Sequence, residues 1–317
     1  MSTIRFRVLP RTVPSVADET FIRTRNKWLT IGLLALPGMI IFLVFFLMPI
    51  SQSGYYSLFK WNGFGPPTDF RGFSNYVDLV NDSIFIRSIG HSLILMSSSL
   101  VIQLPLALGL ALLVGRGKLF GRQIFRAILF VPYVFSEVIT ALIWLYVLHP
   151  NLGLMNKVFD AIIPNFKFIP WLADRNIALY AIFLVLTWKF FGFYMILYMA
   201  GLQSIPKDLE EAGRIDGCNE VQVLRFITIP LLGSTIRLTI FLSVLGSFQQ
   251  FVIIWILTQG GPVNATSTIA TYLFKYGIQR FALGYGSAVA VVLFCITLFF
   301  SIGYQRIVMR QDYALRD

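Results

Sequence analysis

Residues 176–202 read NIALYAIFLVLTWKFFGFYMILYMAGL, an apolar run of 27 residues in which Lys189 is the one charged side chain. A helix rises about 1.5 Å per residue, so about 20 residues cross the ~30 Å hydrocarbon core of a bilayer. This run is therefore long enough to span a membrane as one helix.

Five further runs have the same character, at about 30–50, 88–114, 127–148, 238–257 and 286–304. Glu137 and Lys189 are the only formal charges in the six runs. Of the 317 residues 56% are hydrophobic and 13% charged, whereas a soluble domain has about 25% charged residues. The sequence thus argues against a water-soluble protein and predicts an all-α integral membrane protein with six transmembrane helices.

The distribution of basic residues predicts the orientation. The net charge is +11, and 17 of the 26 Lys and Arg residues fall in the four segments 1–29, 115–126, 203–237 and 305–317. The three intervening loops hold eight. Such a bias marks the cytoplasmic side, so the basic surplus is a topology signal and not a sign of nucleic-acid binding. We expect a cytoplasmic arm at 1–29, a six-helix domain at 30–304 and a cytoplasmic tail at 305–317.

Groups for covalent or metal chemistry are scarce. The two histidines, His91 and His149, are far apart in the sequence, and the two cysteines, Cys218 and Cys295, fall in a loop and in the last span. The chain has no G-x-x-x-x-G-K-[ST] loop for phosphates. We therefore predict no metal site, no catalytic residue and no cofactor on this chain.

The longest predicted cytoplasmic segment between spans is 203–237, and its part 204–230 carries start and stop signals for helices. Pro206 suits the first turn of a helix, and Gly217 suits its end. Asn219 can cap a second short helix through about Phe226, which Pro230 would stop before the fifth span. The pattern predicts two small helices joined by a sharp bend, with Ala212 and Gly213 forming a bare patch on the first.

Residues 204–230, named here the EAA-like loop, resemble the signature of ABC importer membrane subunits, E-A-A, three residues, G, nine residues, I, one residue, L-P. Here it reads Glu211-Ala212-Gly213, then Gly217, then Ile227-Thr228-Ile229-Pro230. Gly213 replaces the second alanine and Ile229 replaces the leucine. A glycine in a helix costs about 1 kcal/mol relative to alanine. The resemblance implies that the residues coupling this chain to an ATPase are Glu211, Ala212, Gly213, Asp216, Gly217, Ile229 and Pro230.

The resemblance extends over most of the chain and is nearest to the carbohydrate-uptake branch of these permeases. It is carried by the segments Leu36-Pro37-Gly38, Trp61-Asn62-Gly63, Phe130-Val131-Pro132-Tyr133, Ala200–Pro206, Gly246-Ser247-Phe248-Gln249 and Gly260-Gly261-Pro262. It implies a multi-pass protein of the inner membrane that translocates a sugar or related polyol. The implied partners are a dimeric cytoplasmic ATPase that binds ATP and Mg²⁺, a second permease subunit and an extracytoplasmic solute-binding protein.

Two charges at membrane depth are candidates for function, because each costs at least about 2.5–3.5 kcal/mol on insertion scales. Glu137 and Lys189 both fall near the middle of antiparallel spans. They could neutralise each other as a structural pair, line the solute path, or face lipid; the sequence leaves these alternatives open.

Other polar and aromatic residues are candidates for the translocation path. Gln249 and Gln250 could bond to hydroxyl groups. Trp188 and Phe248 could stack on a sugar, although ordinary helix packing explains such aromatics equally well. The resemblance implies that Gly260, Gly261 and Pro262 shape an outer loop that contacts the binding protein.

Two competing functions remain at this point. An ion-coupled secondary transporter would work without an ATPase, and a membrane scaffold would not transport at all. Two intramembrane charges and a cytoplasmic helix pair argue against the first, and polar residues at mid-depth argue against the second.

Overall fold

The computed structural model describes residues 16–115 and 121–309. Over these ranges the secondary structure is helical, apart from an isolated antiparallel bridge between Phe59 and Phe70. The helices are α1 (16–56), α2 (Ser74–Asn81), α3 (Ser83–Gly115), α4 (Arg122–Val134), α5 (Glu137–Val147), α6 (Leu154–Ile162), α7 (Ala178–Gln203), α8 (Lys207–Ile215), α9 (Glu220–Leu231), α10 (Gly233–Gln249), α11 (Val252–Thr258), α12 (269–278) and α13 (Leu283–Met309).

The chain divides after Ser53 into two units, and the first contains most of α1. Every side chain from Thr30 to Ile50 is exposed, and most are apolar. So large an apolar surface is stable in lipid and not in water, which agrees with the first predicted span. The helix begins at Val16, however, so the second half of the predicted arm at 1–29 is helical; residues 1–15 lie outside the described residues.

The second unit is built around α7. This helix is buried on several faces and packs against α3, α4, α5 and α10. One apolar cluster joins α7 to α5 and α11, and another joins α7 to α3. A third lies among α2, α3, α10, α12 and α13. The second, fourth and sixth predicted spans correspond to α3, α7 and α13. Of the predicted tail, 305–309 continue α13 and residues 310–317 lie outside the described part of the chain.

The third predicted span is not one helix. α4 and α5 meet at Phe135 and Ser136 with a bend of 99°. Both residues have extended backbone, with ψ near 150°. Four helices in the described ranges are long and apolar enough to cross a membrane, and there are six spans when each of two bent pairs counts as one.

The fifth predicted span, 238–257, was also wrong as a single helix. α10 ends at Gln249 and α11 starts at Val252 after a break. The carbonyl of Gln250 accepts a bond from the Thr268 hydroxyl at 3.2 Å, so a loop and not a further helical turn satisfies it. The second bent pair lies earlier, where α9 and α10 meet at 66°.

Pro230 does not stop the preceding helix as predicted. α9 runs on through Pro230 to Leu231 by way of a π-helical turn over Leu224–Thr228. A wide turn already leaves a backbone carbonyl without its α-helical partner. Because proline has no N–H to donate, it can be placed directly after such a turn without losing a further bond.

Close packing at α12 and α13 depends on two glycines. A methyl group added at Gly277 would lie 2.6 Å from the Cα of Gly286, and one at Gly286 would lie 2.8 Å from the Cα of Gly277. Real side chains cannot approach backbone so closely, so these helices touch only because both positions are glycine.

Candidate functional site

The first helix of the EAA-like loop ends as its sequence predicts. α8 covers Lys207–Ile215, and Gly217 follows with a left-handed φ of 88°. Gly217 N–H donates to the Arg214 carbonyl at 3.1 Å, and Cys218 N–H donates to the Gly213 carbonyl at 2.9 Å. These two bonds form a Schellman motif. The chain therefore turns sharply at Gly217.

The second helix starts at a capping box, as Asn219 predicts. The Asn219 side chain accepts from Gln222 N–H at 2.9 Å, and the Gln222 side chain accepts from Asn219 N–H at 2.8 Å. A bidentate pair between Arg214 and Glu220, at 2.7 and 3.1 Å, bridges the bend. This carboxylate raises the pKa of the Arg214 guanidinium. The cap and the ion pair fix the angle between the two helices.

The two small residues of the predicted bare patch face opposite ways. Ala212 and Glu211 are exposed, whereas Gly213 is buried against α9. A methyl group at Gly213 would lie 2.5 Å from Ile227 Cδ1. The glycine thus makes room for Ile227. The neighbouring Glu210, which the sequence did not single out, is buried and accepts a bond from the Thr228 hydroxyl at 2.6 Å.

The solvent side of the EAA-like loop carries exposed apolar side chains. Ile215 is 85% exposed, Val221 71% and Phe226 65%. Asp216 and Gly217, between Ile215 and Val221, are exposed as well. A small polar helix pair that displays such residues offers a contact surface for another protein. Only their apolar character in a charged loop could have indicated them in the sequence.

A cavity of about 740 Å³ lies behind the EAA-like loop, between α8, α9 and the adjacent ends of α3, α4 and α7. Its lining includes charges of both signs, among them Arg122, Arg126, Lys207, Glu210 and Glu211. The loop is therefore held away from the spans over part of its length.

A second cavity of about 210 Å³ lies among α3, α4, α7 and α10. Ser99, Gln103 and Ser243 form a connected polar group on its wall. The Ser99 hydroxyl bonds to the Gln103 side-chain oxygen and to the Ser243 hydroxyl, and Gln103 Nε2 donates to the Leu186 carbonyl at 3.3 Å. Tyr133, Tyr194, Ser247 and Gln250 are the other polar residues of the lining, and none of the described residues that line this cavity is charged.

Gln250 lines the same cavity, and its side-chain oxygen Oε1 is buried with no hydrogen-bond partner among the described residues. The other predicted path residues do not line it. Gln249 is exposed, Phe248 packs into the cluster around α12 and α13, and Trp188 packs edge-on against Trp144 at 5.6 Å. Sequence reasoning thus found one wall residue and missed the serines and tyrosines. Ser99 and Gln103 are four residues apart inside an apolar span, and so are Ser243 and Ser247. This spacing places both residues of a pair on one helix face and could have indicated them.

The two intramembrane charges meet at the break between α4 and α5, but they form no ion pair within 4.0 Å. Lys189 is 3% exposed, and its ammonium donates to the carbonyls of Pro132, Tyr133 and Phe135. Glu137 is half-buried in the first turn of α5. The structural-pair alternative therefore does not hold in its direct form.

Residues 258–268, the first part of the predicted outer loop 258–285, fold back onto the spans. The Thr266 hydroxyl donates to the Gly261 carbonyl at 2.7 Å, and Ser267 accepts a bond from Ser88 of α3 at 2.9 Å. Gly260 is buried with a left-handed φ of 81°, and Gly261 and Pro262 are half-buried. Val263 is 81% exposed at the tip. The loop is thus fixed at its base and presents one apolar residue outward.

Within the second unit, α3, α4, α7 and α10 line a polar cavity and α8 and α9 form an exposed helix pair, which together are typical of a membrane transport subunit. Residues 103–312 match the family described as "Binding-protein-dependent transport system inner membrane component". The chain belongs to this family.

Individual relatives cover nearly the whole chain. The diacetylchitobiose uptake system permease protein NgcF of Streptomyces coelicolor is 31% identical over 271 residues, 82% of this chain and 77% of that protein. The multiple sugar-binding transport system permease protein MsmF of Streptococcus mutans is 32% identical over 277 residues, 87% and 94% of the two chains. The fold matches a chain of a bacterial alginate ABC transporter crystallised with its alginate pentasaccharide-bound periplasmic protein. The TM-score is 0.78 at 24% identity, covering 92% of this chain and 97% of that one.

The chain is accordingly a multi-pass permease subunit of a binding-protein-dependent ABC importer in the inner membrane. A partner ATPase hydrolyses ATP, and the permease family carries no cofactor of its own. The resemblance inferred from the sequence is confirmed, and the secondary-transporter alternative is excluded.

Proposed function

We propose that this permease translocates a neutral saccharide and that the 210 Å³ cavity is this subunit's share of the solute path. The observation that carries the proposal is the buried Oε1 of Gln250, which has no partner within residues 16–115 and 121–309. It lies on a polar wall to which those residues contribute no charged side chain. An unpaired buried acceptor costs about 1–3 kcal/mol, which a sugar hydroxyl would relieve by donating to it. The named substrates of NgcF and MsmF, diacetylchitobiose and sugars, support the same class.

The cavity is smaller than the roughly 300–1,000 Å³ usual for small-molecule sites. We infer that a second permease subunit supplies the opposite wall. The family resemblance implies that the two subunits form a heterodimer. The aromatic lining by Tyr133, Phe190 and Phe193 offers flat surfaces on which the C–H face of a sugar ring can pack.

We place the EAA-like loop in the cytoplasm, together with both chain termini, on the basic-residue bias. The ATPase dimer would then grip the exposed side of the loop at Glu211, Ala212, Asp216 and Gly217 and at the adjacent Ile215. Ile229 and Pro230 would act differently, by setting the angle at which α9 enters α10. The six-helix domain would rock as the ATPase closes.

On the opposite side, we propose that the solute-binding protein docks at 258–268. Its glycines and Pro262 would shape the loop, and Val263 is exposed. The Thr268 to Gln250 bond connects this loop directly to the cavity wall.

Gln250 and Gln249 provide a matched pair of variants for the test. Gln250→Ala removes the free acceptor, and we expect about 10-fold lower uptake at limiting solute, equivalent to ~1.4 kcal/mol. Gln249→Ala changes an exposed side chain and should leave uptake within twofold of the parent. The measurement is ATP-driven uptake of radiolabelled neutral oligosaccharides into cells that lack the native chain, with a uronic acid oligosaccharide as the charged comparison.

Equal uptake by the two variants would remove Gln250 from the solute path. Selective uptake of the uronic acid oligosaccharide would overturn the neutral substrate class.

A further inference from the structure

The break between α4 and α5 leaves backbone groups without helical partners inside the third predicted span. The last carbonyls of a helix have no partner within the helix, and in a bilayer each unpaired group costs several kcal/mol. α4 ends at Val134, so the carbonyls of Pro132 and Tyr133 lose the N–H groups that a continued helix would supply. Some other group must satisfy them for the 99° bend to exist.

Lys189 supplies those bonds from the neighbouring span. Its ammonium donates to Tyr133 at 2.8 Å, to Pro132 at 3.3 Å and to the Phe135 carbonyl. Three donors thus meet three carbonyls. Its positive charge also lies at the negative end of the α4 dipole.

The start of α5 is satisfied separately. Ser136 caps it by accepting from Ile139 N–H at 3.2 Å, and Glu137 lies in the first turn, where a negative charge is favourable. Each intramembrane charge therefore belongs to one end of the break. This arrangement explains why Glu137 and Lys189 are near each other without forming an ion pair.

The three hydrogen bonds from the Lys189 ammonium, named here the Lys189 clamp, also position part of the cavity wall. The ring of Tyr133 lines the 210 Å³ cavity and stacks on Phe193 with ring centres 4.9 Å apart, while its carbonyl is held by Lys189. One turn further along α7, a methyl group at Gly192 would collide with the Leu129 carbonyl and lie 3.1 Å from Phe130 Cα. The backbone contact at Gly192 and the charged ammonium of Lys189 together hold α4 against α7.

We propose that Lys189 is a positioning residue that closes the end of α4, holds the third span in its bent form and so fixes Tyr133 on the wall of the cavity. It acts by bonding to carbonyls and not by neutralising Glu137. The inference concerns the geometry of the break, so it stands or falls independently of the saccharide assignment.

The test measures the distance between spin labels on the two half-helices in the assembled transporter, purified through a tag on this chain. Labels at Ile128 of α4 and Tyr146 of α5, both exposed, report the bend after Cys218 and Cys295 are changed to alanine. The parent should give a narrow distance distribution. Lys189→Met should broaden it at least twofold, and Lys189→Arg, which keeps charge and donors, should restore the narrow form.

Glu137 separates the clamp from an ion pair. Glu137→Gln alone should stay narrow, and the double variant Glu137→Gln with Lys189→Met should stay as broad as Lys189→Met alone. A double variant that returns to the narrow form would show charge neutralisation and overturn the proposal, as would an unchanged distribution in Lys189→Met.

Assembly provides the same comparison if Lys189→Met does not reach the membrane complex. Recovery of copurified ATPase with Lys189→Arg, but not with the double variant, supports the clamp; recovery with the double variant contradicts it.

Discussion

At Gly213 the EAA pattern lacks its second alanine, and the tip of Ile227 occupies the place where the missing methyl group would lie. The glycine costs about 1 kcal/mol in helix propensity, and it allows α8 and α9 to come into contact. The glycine and the isoleucine form one packing unit, which the sequence alone presents as two unrelated residues.

Gly213→Ala should therefore depend on residue 227. Alone, it must displace Ile227 Cδ1, and overpacking typically costs about 1–3 kcal/mol. Ile227→Val removes that atom at about 0.5–1.5 kcal/mol. We expect the double variant to be more stable than the sum of the two changes predicts, measured as the thermal unfolding midpoint of the assembled transporter. Strictly additive shifts would show that the two side chains do not compete for space.

The adjacent residues Glu210 and Glu211 face opposite sides of α8. Glu210 is turned inward to Thr228 and Glu211 outward. The motif identifies Glu211, while the buried bond of Glu210 holds α8 against α9. A sequence pattern records spacing but not which face of a helix is covered, so it could not assign these two roles.

The bend between α8 and α9 depends on the left-handed backbone conformation of Gly217. Residues with a side chain lose about 1–2 kcal/mol in the left-handed region, and asparagine loses less than most. Gly217→Val should therefore disorder the turn and reduce ATPase copurification severalfold, whereas Gly217→Asn should reduce it little. Membrane insertion, measured as the yield of tagged chain, should be equal for both variants. Equal copurification by the valine variant would mean that the bend does not position the contact.

Apolar length predicted the first, second, fourth and sixth spans as helices. Local start and stop residues predicted both helices of the EAA-like loop, except for the end of the second. The breaks at Ser136 and Gln250 were missed, because the groups that satisfy them, Lys189 and Thr268, come from distant parts of the chain. A local signal was present at one of them: Ser136 followed by Glu137 is a typical helix start in the middle of a span. The cavity requires four helices to meet, so its wall could not be derived from any single run.

For the whole molecule, the two ends of the permease should be separable by mutation. Ile215→Glu places a charge on the exposed side of the EAA-like loop, and Val263→Glu places one at the tip of 258–268. We expect Ile215→Glu to reduce ATPase copurification about 10-fold or more, because an apolar contact becomes a buried charge. We expect Val263→Glu to keep the ATPase but to lose stimulation of ATP hydrolysis by the binding protein.

Each variant serves as the other's control, because both change an exposed apolar residue to glutamate. Loss of both properties in either variant would indicate general misassembly. The opposite pattern would reverse the proposed sides of the membrane.

The π-helical turn at Ser99–Gln103 lies where α3 meets the polar cavity. Such a turn contains one residue more than the α-helical path, and one residue corresponds to about 100° of rotation about the helix axis. If that surplus residue moved along α3, Ser99 and Gln103 would swing away from Ser243 while the helix axis kept its direction. Rotation of this one segment would therefore replace the hydroxyl and amide groups on the cavity wall with leucine side chains. The span itself would not need to tilt.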